Sequence, residues 1–133
     1  MAKVKTHQVN QKEKYRIIGE FFDITASLKT KKEVIDFFIG LITPSEMLMF
    51  ARRIQVAEML IEEKGYDEIR QELKVSFQTI AKVYYWLHGE NDGFNKQIKQ
   101  QIKRKRIQGI TKTYKNSLLD RYPGHRLLKS ILE

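Results

Sequence analysis

Apolar residues recur at intervals of three and four along most of the chain, which is the period of an amphipathic α-helix. Residues 10–28 carry one such face, and a second helix follows through residue 41. Thr30 and Glu33 have the spacing of a capping box and mark the start of that second helix. With only 2 Pro and 7 Gly in 133 residues, long helices meet few interruptions. The pattern predicts an all-α protein.

Adjacent aromatic residues widen the apolar faces of these first two helices. Phe21 is followed by Phe22, and Phe37 is followed by Phe38. One flank of a small helical bundle would not bury faces of this width, so they suggest a partner chain. An internal core that holds both pairs is equally compatible with the pattern.

A strong local signal begins a third helix at residue 44. Thr43 has the N-cap position, Pro44 occupies the first helical position, where its missing N–H costs nothing, and Glu46 completes a capping box. We expect a helix of about 20 residues that Gly65 terminates. Its face should comprise Met47, Phe50, Ala51, Ile54, Ala57 and Ile61, with Glu58 as the polar exception.

Residues 66–88 have the pattern of a short helix, a tight turn and a second helix. Val75 would fill the turn, and two apolar stripes would pack against each other. The stripes are Ile69 and Leu73 on the first helix, and Ile80, Val83, Tyr84 and Leu87 on the second. Ser76 has the position of an N-cap, so the second helix opens with a polar turn that faces away from the stripes. This arrangement is typical of a helix-turn-helix that reads the DNA major groove, although an ordinary pair of antiparallel helices has similar spacing.

The segment 88–93 interrupts the helical pattern with two glycines and several turn-forming residues. We predict a helix-turn-helix and dimerisation domain at 1–90 and a basic C-terminal extension at 91–133. The potential metal ligands in the segment are His88, Glu90 and Asp92. They lack any recognised ligand spacing, so a solvated linker is the better interpretation.

The formal net charge is +9 and is concentrated in one part of the chain. Residues 94–117, which we call the basic strip, contain eight basic side chains and no acid. They are Lys96, Lys99, Lys103, Arg104, Lys105, Arg106, Lys112 and Lys115. The rest of the chain has 17 basic against 16 acidic side chains. A strip of this sign favours a polyanion such as nucleic acid or an anionic lipid surface.

The basic strip has a narrow apolar edge. Phe94, Ile98 and Ile102 stand four positions apart, which predicts a polar helix through Gly109. Beyond Gly109 the apolar positions move to another face, so we expect a bend there. A short apolar helix should follow Pro123.

Several classes of protein are excluded by what the sequence lacks. The chain contains no Cys, which excludes disulfides, thiol catalysis and cysteine-ligated metals. We find neither an apolar run of about 18 residues nor a signal-peptide pattern, so we expect a cytoplasmic protein without a membrane span. The sequence has no P-loop, dinucleotide fingerprint or zinc signature. We therefore expect no enzyme and no cofactor.

Residues 30–88 resemble the Trp repressor superfamily in three features that occur in the family's order. These are the helix start LITPSE, the paired Arg52 and Arg53, and the turn sequence ELKVSFQTI. The resemblance implies a Trp repressor-like helical bundle that forms an intertwined homodimer and presents two recognition helices to double-stranded DNA. The paired aromatics would then interleave with the sister subunit. One departure lies in the bend, where Lys74 replaces the usual Gly and would be strained at positive φ.

Five positions match the family's tryptophan corepressor pocket or its surroundings, namely Thr43, Arg53, Lys82, Val83 and Trp86. Arg53 and Lys82 fall where the best-known member has two arginines that hold the ligand. Val83 stands where the family has Gly, and Trp86 stands where a Ser hydroxyl would receive the ligand amine. The indole of Trp86 could fill the slot, or Trp86 could be a plain packing residue. We expect that free tryptophan does not bind and that the protein has no small-molecule effector.

The leading interpretation is a sequence-specific DNA-binding transcriptional regulator, and we expect a repressor. Gln78 could pair with adenine, and Thr79 could offer a hydroxyl or methyl contact. Phe77 could touch a thymine methyl or serve as a hydrophobic brace. The expected phosphate contacts are Arg70, Ser76 and Lys82, together with Lys103, Arg104, Lys105 and Arg106 of the basic strip. The alternative is a dimeric nucleic-acid-associated or RNA-binding scaffold whose basic tail follows a backbone without sequence preference.

Overall fold

The computed structural model describes residues 3–89 and 92–111, and within the second range it describes the side chains of residues 96–105. All regular structure in these residues is helical. A 3₁₀-helix at Thr6–Gln8 precedes six α-helices, which are α1 (Gln11–Ser27), α2 (Lys31–Leu41), α3 (Pro44–Ile61), α4 (Tyr66–Leu73), α5 (Phe77–His88) and α6 (Asp92–Thr111). The predicted all-α class is confirmed.

The chain divides into two compact units at residues 41 and 42. The N-terminal unit, residues 3–41, contains α1 and α2, and the rings of Phe21 and Phe37 connect these helices with centroids 6.3 Å apart. Neither α1 nor α2 contains a buried residue. Large apolar side chains of α1 are instead exposed, among them Tyr15 at 72% and Phe22 at 62%.

The C-terminal unit, residues 42–111, has a single hydrophobic core. Helix α3 packs against α4, α5 and α6, and α5 packs against α4 and α6. The buried residues are Val56, Ala57 and Met59 of α3, Ile69 and Leu73 of α4, Ile80, Val83 and Leu87 of α5, and Ile102 of α6. The two helices of the predicted helix-turn-helix, α4 and α5, both contribute residues to this core.

The two predicted capping boxes are both formed. The Thr43 hydroxyl accepts a hydrogen bond from the backbone N–H of Glu46 at 3.2 Å, and the Glu46 carboxylate accepts one from the backbone N–H of Thr43 at 2.8 Å. The Thr30 hydroxyl accepts in the same way from the N–H of Glu33, whose carboxylate accepts from the N–H of Thr30. Each pair satisfies backbone donors that the first helical turn cannot use.

The prediction that Gly65 terminates α3 is wrong. The left-handed residue after α3 is Glu63, with φ 60°, and the N–H groups of Glu63 and Lys64 donate to the carbonyls of Leu60 and Met59. These two bonds form a Schellman motif, which satisfies the last carbonyls of the helix earlier in the chain than expected. Gly65 has φ −70° and instead forms the N-cap of α4.

The single chain covers the predicted apolar face of α3 only in part. Of the six apolar residues assigned to it, Ala57 is buried and Ile61 packs against the core, whereas Phe50 and Ile54 are 55% and 42% exposed. The chain covers the C-terminal half of the helix, around Val56 and Met59, and leaves the N-terminal half exposed. Apolar side chains surround most of α3, so their spacing alone could not identify the covered side.

Tyr84 was predicted to belong to the buried stripe of α5, but it does not. Its side chain is 41% exposed and stacks on the His88 imidazole, with ring centroids 4.1 Å apart. Nδ1 of His88 lies 2.9 Å from the Tyr84 carbonyl oxygen, one turn back along the helix. Among the described residues, no group of three or more His, Asp or Glu side chains could hold a metal ion.

Helix α6 begins just after the predicted domain boundary at residue 90. Its Ile102 belongs to the core of the C-terminal unit, and Ile98 packs against that core, so these two residues of the narrow apolar edge attach α6 to the rest of the unit. The helical backbone continues past Gly109 to Thr111. The bend expected beyond Gly109 and the short helix expected after Pro123 fall on residues outside those described, and the division at residue 90 stays a prediction.

Candidate nucleic-acid interface

Helices α4 and α5 form a helix-turn-helix whose turn, residues 74–76, is only three residues long. Ile69 of α4 and Ile80 of α5 are both fully buried, so the facing sides of the two helices are apolar, as predicted. Lys74 closes α4 in the left-handed conformation, with φ 55° and ψ 41°, and its N–H donates to the Arg70 carbonyl at 2.9 Å. Positive φ at this position agrees with the strain expected for a residue with a Cβ.

The start of α5 is capped by Ser76 and open to solvent. The Ser76 hydroxyl accepts from the N–H of Thr79 at 3.2 Å and lies 3.1 Å from the Thr79 hydroxyl. The first turn contains no acidic residue. Free N–H groups and the helix dipole make this end of α5 partly positive, so it favours an anion such as a phosphate.

The three predicted base-contacting residues occupy this first turn. Phe77 and Gln78 are exposed, whereas Thr79 is half-buried and its hydroxyl already has a partner in Ser76. Lys82, one turn further along, is exposed as well. Gln78 and Lys82 therefore lie on the side of α5 away from the buried stripe, whereas Thr79 lies closer to that stripe.

An open depression lies between α4 and the turn. Its lining residues are Asp67, Arg70, Gln71, Lys74, Val75 and Ser76. Beside it, the Arg70 guanidinium lies over the Phe77 ring, with its carbon 4.7 Å from the ring centroid. The residue spacing predicted neither this contact nor the positions of Gln71 and Lys74 in the depression, because both depend on how long side chains of two helices meet across a turn.

The helix-turn-helix itself carries no net charge. Within residues 66–88 the acids are Asp67, Glu68 and Glu72, and the bases are Arg70, Lys74 and Lys82. Glu68 is paired with Lys64, at 3.0 Å between Nζ and Oε1, and the hydrogen bond to this carboxylate raises the pKa of Lys64. Long-range attraction to a polyanion must therefore come from outside these two helices.

Helix α6 carries the described part of the basic strip. Ile102 is buried in the core, while the neighbouring Lys103, Arg104 and Lys105 are exposed. The fourth predicted phosphate contact of the strip, Arg106, has a side chain outside those described. One side of α6 thus attaches it to the core, and the adjacent positions direct positive charge to solvent.

The positions that match the family's corepressor pocket have different surroundings. The Thr43 hydroxyl is engaged with Glu46 in the capping box, and the Arg53 guanidinium lies over the Phe50 ring at 5.8 Å. The Val83 side chain is buried in the core at 3% exposure, whereas Lys82 is exposed and Trp86 is 40% exposed.

Comparison with known proteins identifies the family. Residues 17–102 match the family model described as Trp repressor protein. The chain belongs to the Trp repressor family. Members of the Trp repressor family are helix-turn-helix DNA-binding regulators rather than enzymes, and the match includes α4, α5 and the part of α6 that reaches the core.

One relative in the Trp repressor family is the uncharacterized protein YerC of Bacillus subtilis (strain 168). It is 35% identical over 77 residues, which cover 58% of this chain and 74% of YerC. No solved structure matches the chain significantly. Of the helices in the described residues, none combines the length and apolar character that a membrane span requires.

Proposed function

We propose that this protein is a sequence-specific DNA-binding transcriptional repressor that reads the major groove with α5. The observation that carries the proposal is the exposed, acid-free first turn of α5, which α4 and the core hold in a helix-turn-helix. An α-helix fits the major groove, and the residues at its N-terminal end reach the base edges in this motif.

Gln78 is the principal base reader in this proposal. Its side chain is exposed, and an amide can donate to N7 and accept from N6 of adenine in a bidentate pair. Thr79 contributes its methyl group, since its hydroxyl is bonded to Ser76. Phe77, the third residue of this turn, could contact a thymine methyl or support the turn without a base contact.

Three side chains around the turn position the protein on the DNA backbone. Arg70 lies beside the N-terminal end of α5, Ser76 caps that end, and Lys82 follows one turn later. Cationic and hydroxyl groups in these places would bind phosphates, which fix orientation without reading sequence.

The working unit is a homodimer that presents two copies of α5 to a pseudo-palindromic site. Family membership supports it, and so do the exposed apolar side chains of α1, α2 and the N-terminal half of α3. A site of this kind spaces its half-sites by about one helical turn of DNA. We propose no small-molecule effector, because Val83 is buried in the core and, by the family resemblance, the indole of Trp86 would occupy the position of the ligand.

The first test compares two substitutions on a duplex selected from a random pool by the wild-type protein. Gln78→Ala should weaken binding to that duplex by about 1–3 kcal/mol and relax the preference at one base position. Arg70→Ala should weaken binding to the selected and the random duplexes about equally. Equal behaviour of the two variants on both duplexes would contradict the assignment of α5 as the recognition helix.

The second test concerns the basic strip, which we propose lies along the DNA backbone and supplies most of the electrostatic attraction. Because Ile102 belongs to the core, the charges must be removed without deleting α6. Replacing Lys103, Arg104, Lys105 and Arg106 with Gln should reduce the slope of log K against log salt by about 0.9 for each phosphate that the protein no longer neutralises. The preferred sequence should stay the same. An unchanged slope in a folded variant would contradict this role.

The neutral helix-turn-helix beside a concentrated basic strip favours one second candidate. The protein would then be a nucleic-acid-associated or RNA-binding scaffold whose affinity comes from the strip alone. Competition between the selected duplex and bulk DNA distinguishes the two, since the scaffold would show no preference for any duplex sequence.

A further inference from the structure

Arg70 and Phe77 lie on either side of the turn in the helix-turn-helix and contact each other. The guanidinium carbon is 4.7 Å from the ring centroid, a distance at which the electron-rich face of an aromatic ring attracts a cation. Arg70 is exposed, and Phe77 is 43% exposed. No surrounding core forces the two together, so the ring itself is what restrains the guanidinium.

The backbone on both sides of this contact is well held. Arg70 stands in the last turn of α4, where its carbonyl accepts from the N–H of Lys74 at 2.9 Å. Phe77 is the first residue of α5, directly after the Ser76 cap. The flexible part is the Arg70 side chain, whose several rotatable bonds would otherwise let the guanidinium sample a wide volume.

The restrained guanidinium lies where an anion is favoured for other reasons. Two cations, Arg70 and Lys74, line the same open depression against one carboxylate, that of Asp67. The N-terminal end of α5 adds backbone N–H groups and the positive end of a helix dipole. A planar guanidinium held at this point could donate two parallel hydrogen bonds to a phosphate.

We infer that Phe77 is a positioning residue, whose ring holds the Arg70 guanidinium ready for a DNA phosphate at the start of α5. The inference rests on the proposed DNA-binding function. In this role Phe77 raises the affinity for every duplex, because the ordering of Arg70 is completed before binding. One face of the ring is occupied by Arg70, so Phe77 acts through Arg70 rather than through a base.

The experiment is a double-mutant cycle with Phe77→Leu, Arg70→Ala and the double variant. Dissociation constants are measured for the selected duplex and for a random duplex. Leucine keeps apolar bulk but has no ring face, so Phe77→Leu should weaken binding to both duplexes equally, by about 2- to 5-fold for each recognition helix. In the Arg70→Ala background the same change should have no further effect.

Two more variants separate positioning from a merely structural role. Phe77→Tyr keeps the ring face and should restore wild-type affinity. Tyr85→Leu removes a ring that is 75% exposed on the same helix and should leave binding unchanged. Phe77→Leu should also flatten the salt dependence toward that of Arg70→Ala, by up to about 0.9 per phosphate, which the loss of a structural brace would not do. Circular dichroism verifies that each variant is folded.

Three results would overturn the inference while leaving the proposed function intact. Phe77→Leu could alter the preference at one base position, which would make Phe77 a base reader. Phe77→Leu could reduce the binding affinity as much in the Arg70→Ala background as in the wild-type protein. It could also leave the affinity unchanged although Arg70→Ala weakens binding. By contrast, a wild-type protein that prefers no duplex sequence would overturn the proposed function itself.

Discussion

The two units of the chain bury apolar side chains to very different extents. In the C-terminal unit, residues from α3, α4, α5 and α6 form one core with Ile69, Ile80 and Leu87 fully buried, whereas α1 and α2 contain no buried residue. The helix-turn-helix therefore lies in the unit that has a core of its own, although the N-terminal half of α3 in that unit is exposed. The N-terminal unit has apolar faces that the single chain leaves in water, and we propose that a second copy covers them.

The largest expected effect tests whether the apolar surface of the N-terminal unit is an interface. Phe22→Glu should convert a dimer into a monomer, because each copy would lose about 1.5–3 kcal/mol of apolar burial and would place a carboxylate in the contact. Sedimentation equilibrium at low micromolar concentration measures the mass. Gln11→Glu adds the same charge at an exposed position of α1 and should stay dimeric.

If that measurement showed a well-folded wild-type monomer of 15.8 kDa, it would contradict the proposed dimer. The contrast between the units would then reflect a loosely packed helix pair rather than an interface.

The next effect measures the core of the C-terminal unit directly. Ile80→Ala removes a fully buried side chain and should lower the free energy of unfolding by about 2–5 kcal/mol. Ile24→Ala, on a side chain 52% exposed in α1, should have little effect when both are compared by urea unfolding in the monomeric Phe22→Glu background. Similar costs for the two changes would mean that the N-terminal unit has a core of its own.

The smallest expected effect compares the two capping boxes, one in each unit. Thr43→Ala should lower the free energy of unfolding of the C-terminal unit by about 1 kcal/mol, because α3 loses its N-cap bond. In the same monomeric background, Thr30→Ala should reduce helicity in α2 without moving the main transition. Circular dichroism during urea unfolding reports both quantities, and equal shifts from the two variants would contradict the expectation that the main transition reports only the core of the C-terminal unit.

The same two capping boxes make the stability of the folded protein depend on pH. Hydrogen bonds from the backbone N–H groups of Lys29 and Thr30 lower the pKa of Glu33, and the N–H of Thr43 lowers the pKa of Glu46. A carboxyl whose pKa is lower when folded stabilises the protein above its ordinary pKa and loses this contribution as pH falls through the lowered value. Glu46→Gln should therefore reduce the acid sensitivity of the C-terminal unit.

The helix starts could be predicted from the sequence because their signals are local. Thr43, Ser76 and Thr30 each bond to a backbone N–H three residues away, so no distant part of the chain is needed to recognise them. The helix-turn-helix was predictable for a related reason, since its two stripes converge on Ile69 and Ile80.

The errors arose where distant contacts decide the outcome. Apolar residues on several sides of α3 left its covered face undetermined, and only α4, α5 and α6 select the part around Val56. The stop at Gly65 was wrong because a glycine is the commonest left-handed residue after a helix, yet Glu63 adopts that conformation here. The contact of Arg70 with Phe77 depends on side-chain rotamers across a turn, about which residue spacing carries no information.

The left-handed Lys74 has a consequence for the thermodynamics of recognition. A residue with a Cβ has access to far fewer backbone states than glycine, so Lys74 leaves the turn between α4 and α5 fewer conformations than glycine would. The packing energy of the core that holds both helices compensates for the unfavourable backbone conformation of Lys74, at φ 55°. In the proposed DNA-binding role, this turn would then have little conformational entropy left to lose when α5 enters a groove.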